Sequence, residues 1–169
     1  MNQVLNAWNA TDKDAAVATL LSSCAASRWA AAVSALRPFA NENDLFDASD
    51  RVWATMKEPD WMEAFRAHPR IGERNVEQAT AQSKQWSSEE QASVDAAHSD
   101  TLAQLASGNQ RYEELFGFTY IVCATGKSAE EMLTILQRRL ASNRQTELRE
   151  AAEQQRQITQ IRLRKWLQP

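Results

Sequence analysis

Residues 143–167 read NRQTELREAAEQQRQITQIRLRKWL, with neither glycine nor proline. At roughly 100° per residue, Leu148, Ala151, Ala152, Ile158 and Trp166 fall in one apolar stripe, and most other positions hold strong helix formers. The stretch reads as a single closing helix, roughly 36 Å long at the usual rise per residue. Arg162 lies inside the stripe. It is either a snorkelling arginine that lays its stem on the core and reaches water, or a guanidinium held in a pocket to grip a carboxylate bidentately.

The rest of the chain extends this helical pattern. Only four Gly and four Pro occur in 169 residues, too few for the turns that a sandwich or barrel needs. Val4, Leu5 and Trp8 open a short amphipathic segment. Thr11 is the expected N-cap of a second, through Ala15, Val17, Leu20 and Leu21. A third runs from Ser27 through Trp29, Val33 and Leu36 and stops at Pro38; further helices cover 44–56 and 60–67. The motif His68-Pro69-Arg70-Ile71-Gly72 breaks the pattern, because Pro69 biases His68 away from helix and Gly72 permits positive φ.

Residues 73–86 are polar and weakly periodic. A helix is expected from Ser87 or Ser88 to about Ser107, before Gly108, and Asn109 is expected to cap a short one to Phe116. The apolar run 116–123 has no strand to pair with and reads as buried irregular or extended chain. Ser128-Ala129-Glu130-Glu131 has capping-box form and opens a helix to Leu140. The expectation is an all-α, single-domain bundle of about eight helices over 1–169, with a long C-terminal helix.

Net charge is −3, with 43% hydrophobic and 24% charged residues. These values describe a globular protein without the concentrated basic face that nucleic acid requires. No run of about 18 apolar residues marks a membrane span, and the first residues resemble no secretory signal. Leu167-Gln168-Pro169 is no peroxisomal signal. A cytoplasmic location with no membrane partner is expected. Cys24 and Cys123 sit among apolar neighbours, outside any C-x-x-C pattern, and read as reduced core thiols.

With two histidines and no recognisable ligand spacing, a metal site is not expected. Phosphate-cradling loops, dinucleotide fingerprints and the serine-hydrolase elbow are absent. His68 stands at a helix end, held by Pro69, where it either bonds a nearby carbonyl or transfers protons near neutral pH. His98, in apparent mid-helix, reads as structural. Ser87, Glu90 and Gln91 form either a capping box or an anion-attracting helix N-terminus, and periodicity alone cannot separate the two.

Taken together, the sequence resembles the 2-oxo-4-hydroxy-4-carboxy-5-ureidoimidazoline (OHCU) decarboxylases of urate degradation. The resemblance rests on His68-Pro69-Arg70-Ile71-Gly72, Ser87-x-x-Glu90-Gln91, Phe116-Gly117-Phe118 running into Ile121-Val122-Cys123-Ala124, Gly126-Lys127-Ser128, and the Glu147…Ile158…Leu163 helix with Arg162. These elements occur in family order from Trp61 to Leu167; before them the match is mainly helical character and Arg37-Pro38-Phe39. It implies an all-α homodimer that uses no metal or organic cofactor and converts the ureidoimidazoline to (S)-allantoin and CO2.

Carried over by motif, His68 and Glu90 are the catalytic pair. Pro69, Ser87, Gln91, Phe118, Tyr120, Ile121 and Arg162 bind substrate, with main-chain groups near Phe118 to Ile121 holding the ring. Tyr120 stands where many relatives have a plain apolar residue. Arg162 and the Gln91 amide are expected to orient the substrate. Glu90 faces its hydroxyl and disfavours the adjacent carboxylate, and His68 protonates the enol-type intermediate on one face. The competing readings are a non-catalytic helical interaction module and a decarboxylase or hydrolase of a related ureido acid.

Overall fold

A computed structural model describes residues 2–72, 79–92, 94 and 97–168. The described residues form nine helices and no strand. They are α1 (Gln3–Asn9), α2 (Lys13–Ser23), α3 (Ser27–Ser34), α4 (Glu42–Thr55), α5 (Glu58–Arg66), α6 (Ala81–Glu90), α7 (Ser99–Phe116), α8 (Ala129–Arg139) and α9 (Arg144–Trp166). The chain divides into two compact units, residues 1–64 with 156–169, and residues 65–155. The divisions fall inside α5 and α9.

In the first unit, helix starts follow side-chain chemistry. Asn2, Asp12 and Asn41 accept from the amides of Leu5, Ala15 and Asp44, relieving orphan donors of the first turn. Asp12, not the expected Thr11, caps α2; the Thr11 hydroxyl donates back to the Trp8 carbonyl at 2.8 Å and so closes α1. Trp29, Leu5, Leu20 and Leu45 are fully buried. The Trp8 ring stacks on Phe39 at 6.1 Å and meets the Trp166 edge at 5.5 Å. Buried Gln160 donates to the Phe46 carbonyl at 3.0 Å and to Asp50 at 2.7 Å, tying the end of α9 to α4. Leu36 does not continue the apolar stripe of α3: the helix ends at Ser34, and Leu36 is exposed.

The second unit packs α7 on α8 around Tyr112, Leu105, Met132 and Leu136, all buried. Gly108 does not separate two helices here; α7 runs through it. A Cβ at position 108 would lie 2.5 Å from the Leu136 side chain, so the glycine is the seat for that leucine. Gly117, at φ +79°, ends α7 in the left-handed conformation common just past a helix C-terminus.

The expected helix start at Ser87 or Ser88 is overturned. Thr80 caps α6, accepting from Ser83 N at 3.0 Å, so Ser87 and Glu90 fall in its last turn and Gln91 is its C-cap. Amides there are already bonded one turn back, and no capping box can form on them. Residues 73–78 of the polar stretch, and 93, 95 and 96 of the helix expected to 107, lie outside the described residues. His98 is not in mid-helix but is the N-cap residue of α7.

The capping box at Ser128 forms as expected, with Glu131 reaching back to Ser128 N at 2.7 Å. Residues 118–124 form neither helix nor strand, and all but the half-buried Thr119 are buried. Side chains supply the partners that a neighbouring strand would. Arg139 bonds the Ile121 carbonyl at 2.6 Å, Gln154 the Cys123 amide at 2.9 Å, and Lys127 the Cys123 carbonyl at 2.8 Å.

Candidate functional site

The irregular motif leaves the end of α5 with His68 N donating to the Phe65 carbonyl at 3.1 Å. Three further attachments within the second unit define its course. Arg70 forks onto Glu113 of α7, with Nε to Oε1 at 2.8 Å and Nη2 to Oε2 at 2.7 Å. Asn109 of α7 donates to the Ile71 carbonyl at 3.1 Å. Gly72 N donates to Gln91 Oε1 at 2.8 Å, at a φ of +93° that favours glycine. The bidentate fork and the glycine turn make the loop's backbone, rather than side-chain freedom, the determinant of where the imidazole sits.

The His68 imidazole is half-buried, and its Nε2 lies 2.7 Å from Oε1 of Gln155, which is fully buried on α9. Pro69 is buried beside it. Gln91 is joined to the histidine loop through Gly72, so two motifs about twenty positions apart meet at one hydrogen bond. Ser87 is buried and Glu90 half-buried in the turn of α6 that Gln91 closes. A cavity of about 540 Å³ adjoins this loop, lined by Arg70, Ile71, Gly72, Leu102, Asn109 and Gln110.

Phe118, Tyr120 and Ile121 are buried in the irregular segment that follows α7. Phe118 packs on Phe65 with ring centroids 5.5 Å apart. The Tyr120 hydroxyl donates to the Met132 carbonyl at 3.1 Å, and its ring lies 5.4 Å from that of Tyr112. The extra hydroxyl relative to an apolar residue is thus spent on the backbone of α8.

Behind this wall lies a polar cluster that the sequence reading did not find. Arg139 Nε donates to Glu147 at 2.7 Å with both side chains 3% exposed. Tyr112 OH donates to the same carboxylate oxygen at 2.7 Å and accepts from Arg139 Nη2 at 3.1 Å. Burial pushes the Tyr112 and Tyr120 phenols well above the usual range against the opposing pull of Arg139. Burial also opposes the Arg139 charge, but the hydrogen-bonded Glu147 carboxylate outweighs it and holds the guanidinium ionised. Since Arg139 also carries the Ile121 carbonyl, the charged pair fixes the wall's main chain.

Arg162 belongs to the first unit. At 2% exposure it does not snorkel to water, and its charge acts on the buried Cys24 thiol, which also bonds Thr159. Cys24 and Cys123 are both free and buried. Gln155, Thr159 and Arg162, spaced i, i+4, i+7, are all buried on α9. Polar residues recurring inside an apolar stripe were the signal that could have revealed Gln155 along with Arg162. Among the described residues no cluster of three His, Cys, Asp or Glu side chains could hold a metal ion. No described helix is long and apolar enough to cross a membrane.

The chain matches the family model described as OHCU decarboxylase over residues 9–164. The Arabidopsis thaliana uric acid degradation bifunctional protein TTL is 34% identical over 143 residues, covering 84% of this chain but 44% of that protein. The chain therefore spans less than half the length of this relative. The 2-oxo-4-hydroxy-4-carboxy-5-ureidoimidazoline decarboxylase of Amia calva is 29% identical, covering 82% of this chain and 79% of that protein. A crystal structure of OHCU decarboxylase in the presence of (S)-allantoin aligns with a TM-score of 0.75 and 31% identity, covering 87% of this chain and 95% of the other.

Proposed function

The chain belongs to the OHCU decarboxylase family, and from that membership we propose that it decarboxylates 2-oxo-4-hydroxy-4-carboxy-5-ureidoimidazoline to (S)-allantoin and CO2 in urate breakdown. The observation that carries this reading is the hydrogen bond from Gly72 N to Gln91 at 2.8 Å, which couples the histidine loop to the Ser87-x-x-Glu90-Gln91 element. An interaction module has no need to fasten these two motifs to each other.

Loss of CO2 leaves an electron pair that needs a sink, and the substrate's own ring C=N beside the carboxylated carbon accepts it, so neither metal nor organic cofactor is required. The protein's tasks are placement, charge management and one stereospecific proton delivery. Glu90 meets the substrate hydroxyl and repels the adjacent carboxylate, favouring its loss. His68 then protonates the enol-type intermediate on one face. Ser87, Gln91 and Pro69 complete the binding surface, and Phe118, Tyr120 and Ile121 supply the wall against which the ring is held. The Gln91 carbonyl oxygen is engaged by Gly72, so the substrate contact falls to its amide NH2.

Arg162 is assigned the substrate carboxylate on the strength of the family motif alone. Arg162→Lys should raise KM about tenfold or more, because an ammonium cannot reproduce the bidentate fork. The whole chain, 1–169, is read as one catalytic domain because the family match runs through both compact units. A cytoplasmic homodimer is the assembly proposed, with light scattering as its measurement.

Freshly generated substrate followed by circular dichroism tests the activity, with racemic allantoin from spontaneous decay as the control. The protein should speed decay and yield one hand of product, with chelators causing no loss. Unchanged decay and racemic product sink the assignment. His68→Asn should lower kcat by about 10² or more with folding intact; near-normal turnover removes the role given to His68.

A further inference from the structure

We propose that Gln155 is a positioning residue that fixes the His68 imidazole as the Nε2–H tautomer, making Nδ1 the nitrogen that carries the transferable proton. The inference rests on the proton-donor role proposed for His68. A carbonyl oxygen can only accept, so the 2.7 Å contact between Gln155 Oε1 and His68 Nε2 requires the hydrogen to reside on Nε2. Gln155 is fully buried on a long helix, so its amide is held by packing and cannot follow a rotating ring. The histidine loop is itself fastened at Arg70, Ile71 and Gly72. Ring and acceptor are thus both positioned from outside, the arrangement in which one hydrogen bond sets which nitrogen stays basic.

In the reaction the protonated ring gives up Nδ1–H. That bond breaks and a C–H bond forms, using the C=C electron pair of the enol, at the ring carbon that becomes the stereocentre. The hydroxyl proton leaves to solvent as the carbonyl forms. The imidazole returns to its neutral Nε2–H form, still bonded to Gln155, and is recharged from solvent. Holding one tautomer throughout removes a ring flip from each cycle and presents the proton from one direction.

The protein contains only two histidines, so 15N-histidine labelling gives two ring systems, assigned with His98→Gln. In the unaltered protein, above the pH at which the ring is charged, His68 should show a protonated Nε2 and an unprotonated Nδ1. Gln155→Leu should mix the tautomers and lower kcat about tenfold or more with little change in KM, as loss of an orienting partner does elsewhere. Gln155→Glu, which keeps an acceptor of the same reach, should restore the tautomer and most of the turnover. A protonated Nδ1 in the unaltered protein overturns the proposal, as does Gln155→Leu with both tautomer and kcat unchanged. Should that variant not fold, the spectrum of the unaltered protein and the Gln155→Glu result decide. An Nε2–H ring together with normal turnover in His68→Asn overturns the proposal through its premise, a failure separable from a wrong tautomer.

Discussion

His68 and Arg162 show how much one side chain's identity carries and where it stops. A histidine between a helix end and a proline announces a fixed imidazole, but its partner Gln155 is 87 positions away and along the sequence is indistinguishable from any other good helix former. Arg162 was visible as an arginine inside an apolar stripe; its burial then excluded the snorkelling alternative. Glu113 makes the clearest residue-scale test. Its fork onto Arg70 is partly exposed, so Glu113→Gln should cost less than about 1 kcal/mol of stability while lowering kcat by loosening the histidine loop, as measured by urea unfolding beside steady-state kinetics. Glu147→Gln differs in kind. It leaves the Arg139 charge buried without its carboxylate, so the urea midpoint should fall by the equivalent of about 3–5 kcal/mol.

Local chemistry decided some elements and misled on others. The Ser128 box formed as written, and Ser128→Ala should cost about 1 kcal/mol of cap stabilisation by thermal unfolding. The similar spacing of Ser87 and Glu90 did not cap anything, because Thr80 starts α6 seven residues earlier. Pattern reading cannot rank two competing caps when either could start the helix. Gly108 failed as a boundary for a tertiary reason: the close approach of α7 and α8 places Leu136 where a side chain would be. Gly108→Val should therefore lower the melting temperature despite removing a flexible residue, since the added carbons must displace a fully buried leucine. The run 116–123 joins no sheet among the described residues, yet nothing in its own residues names Arg139, Gln154 and Lys127 as partners of its backbone.

At the scale of the molecule, buried groups set an alkaline limit on stability. Burial raises the Cys24 thiol from 9.0 to about 11, and Tyr112 and Tyr120 are raised in the same direction. A raised folded-state pKa means that the folded chain retains protons the unfolded chain releases. The stabilisation is complete below the unfolded value and is lost as pH rises through the folded one. Urea stability should hold to about pH 9 and fall towards pH 11. Cys24→Ala should remove the thiol's share, about 2–3 kcal/mol for a shift of about two units. An equally steep loss in that variant assigns the fall to the tyrosines alone.

Composition, helical periodicity and an ordered set of motifs were sufficient, without coordinates, for the all-helical class, the long closing helix, the histidine loop and the family. These are properties of short windows, in which backbone preference, side-chain spacing and special residues such as proline and glycine act within a turn or two. Only the tertiary structure decided which cap wins at α6, that Arg162 is shut away from water, and that the histidine loop is fastened to Gln91, Asn109 and Glu113. It alone paired His68 with Gln155 and Arg139 with Glu147. A hydrogen bond or ion pair depends on the direction and burial of two groups brought together by packing, and neither quantity is contained in the spacing of residues along the chain.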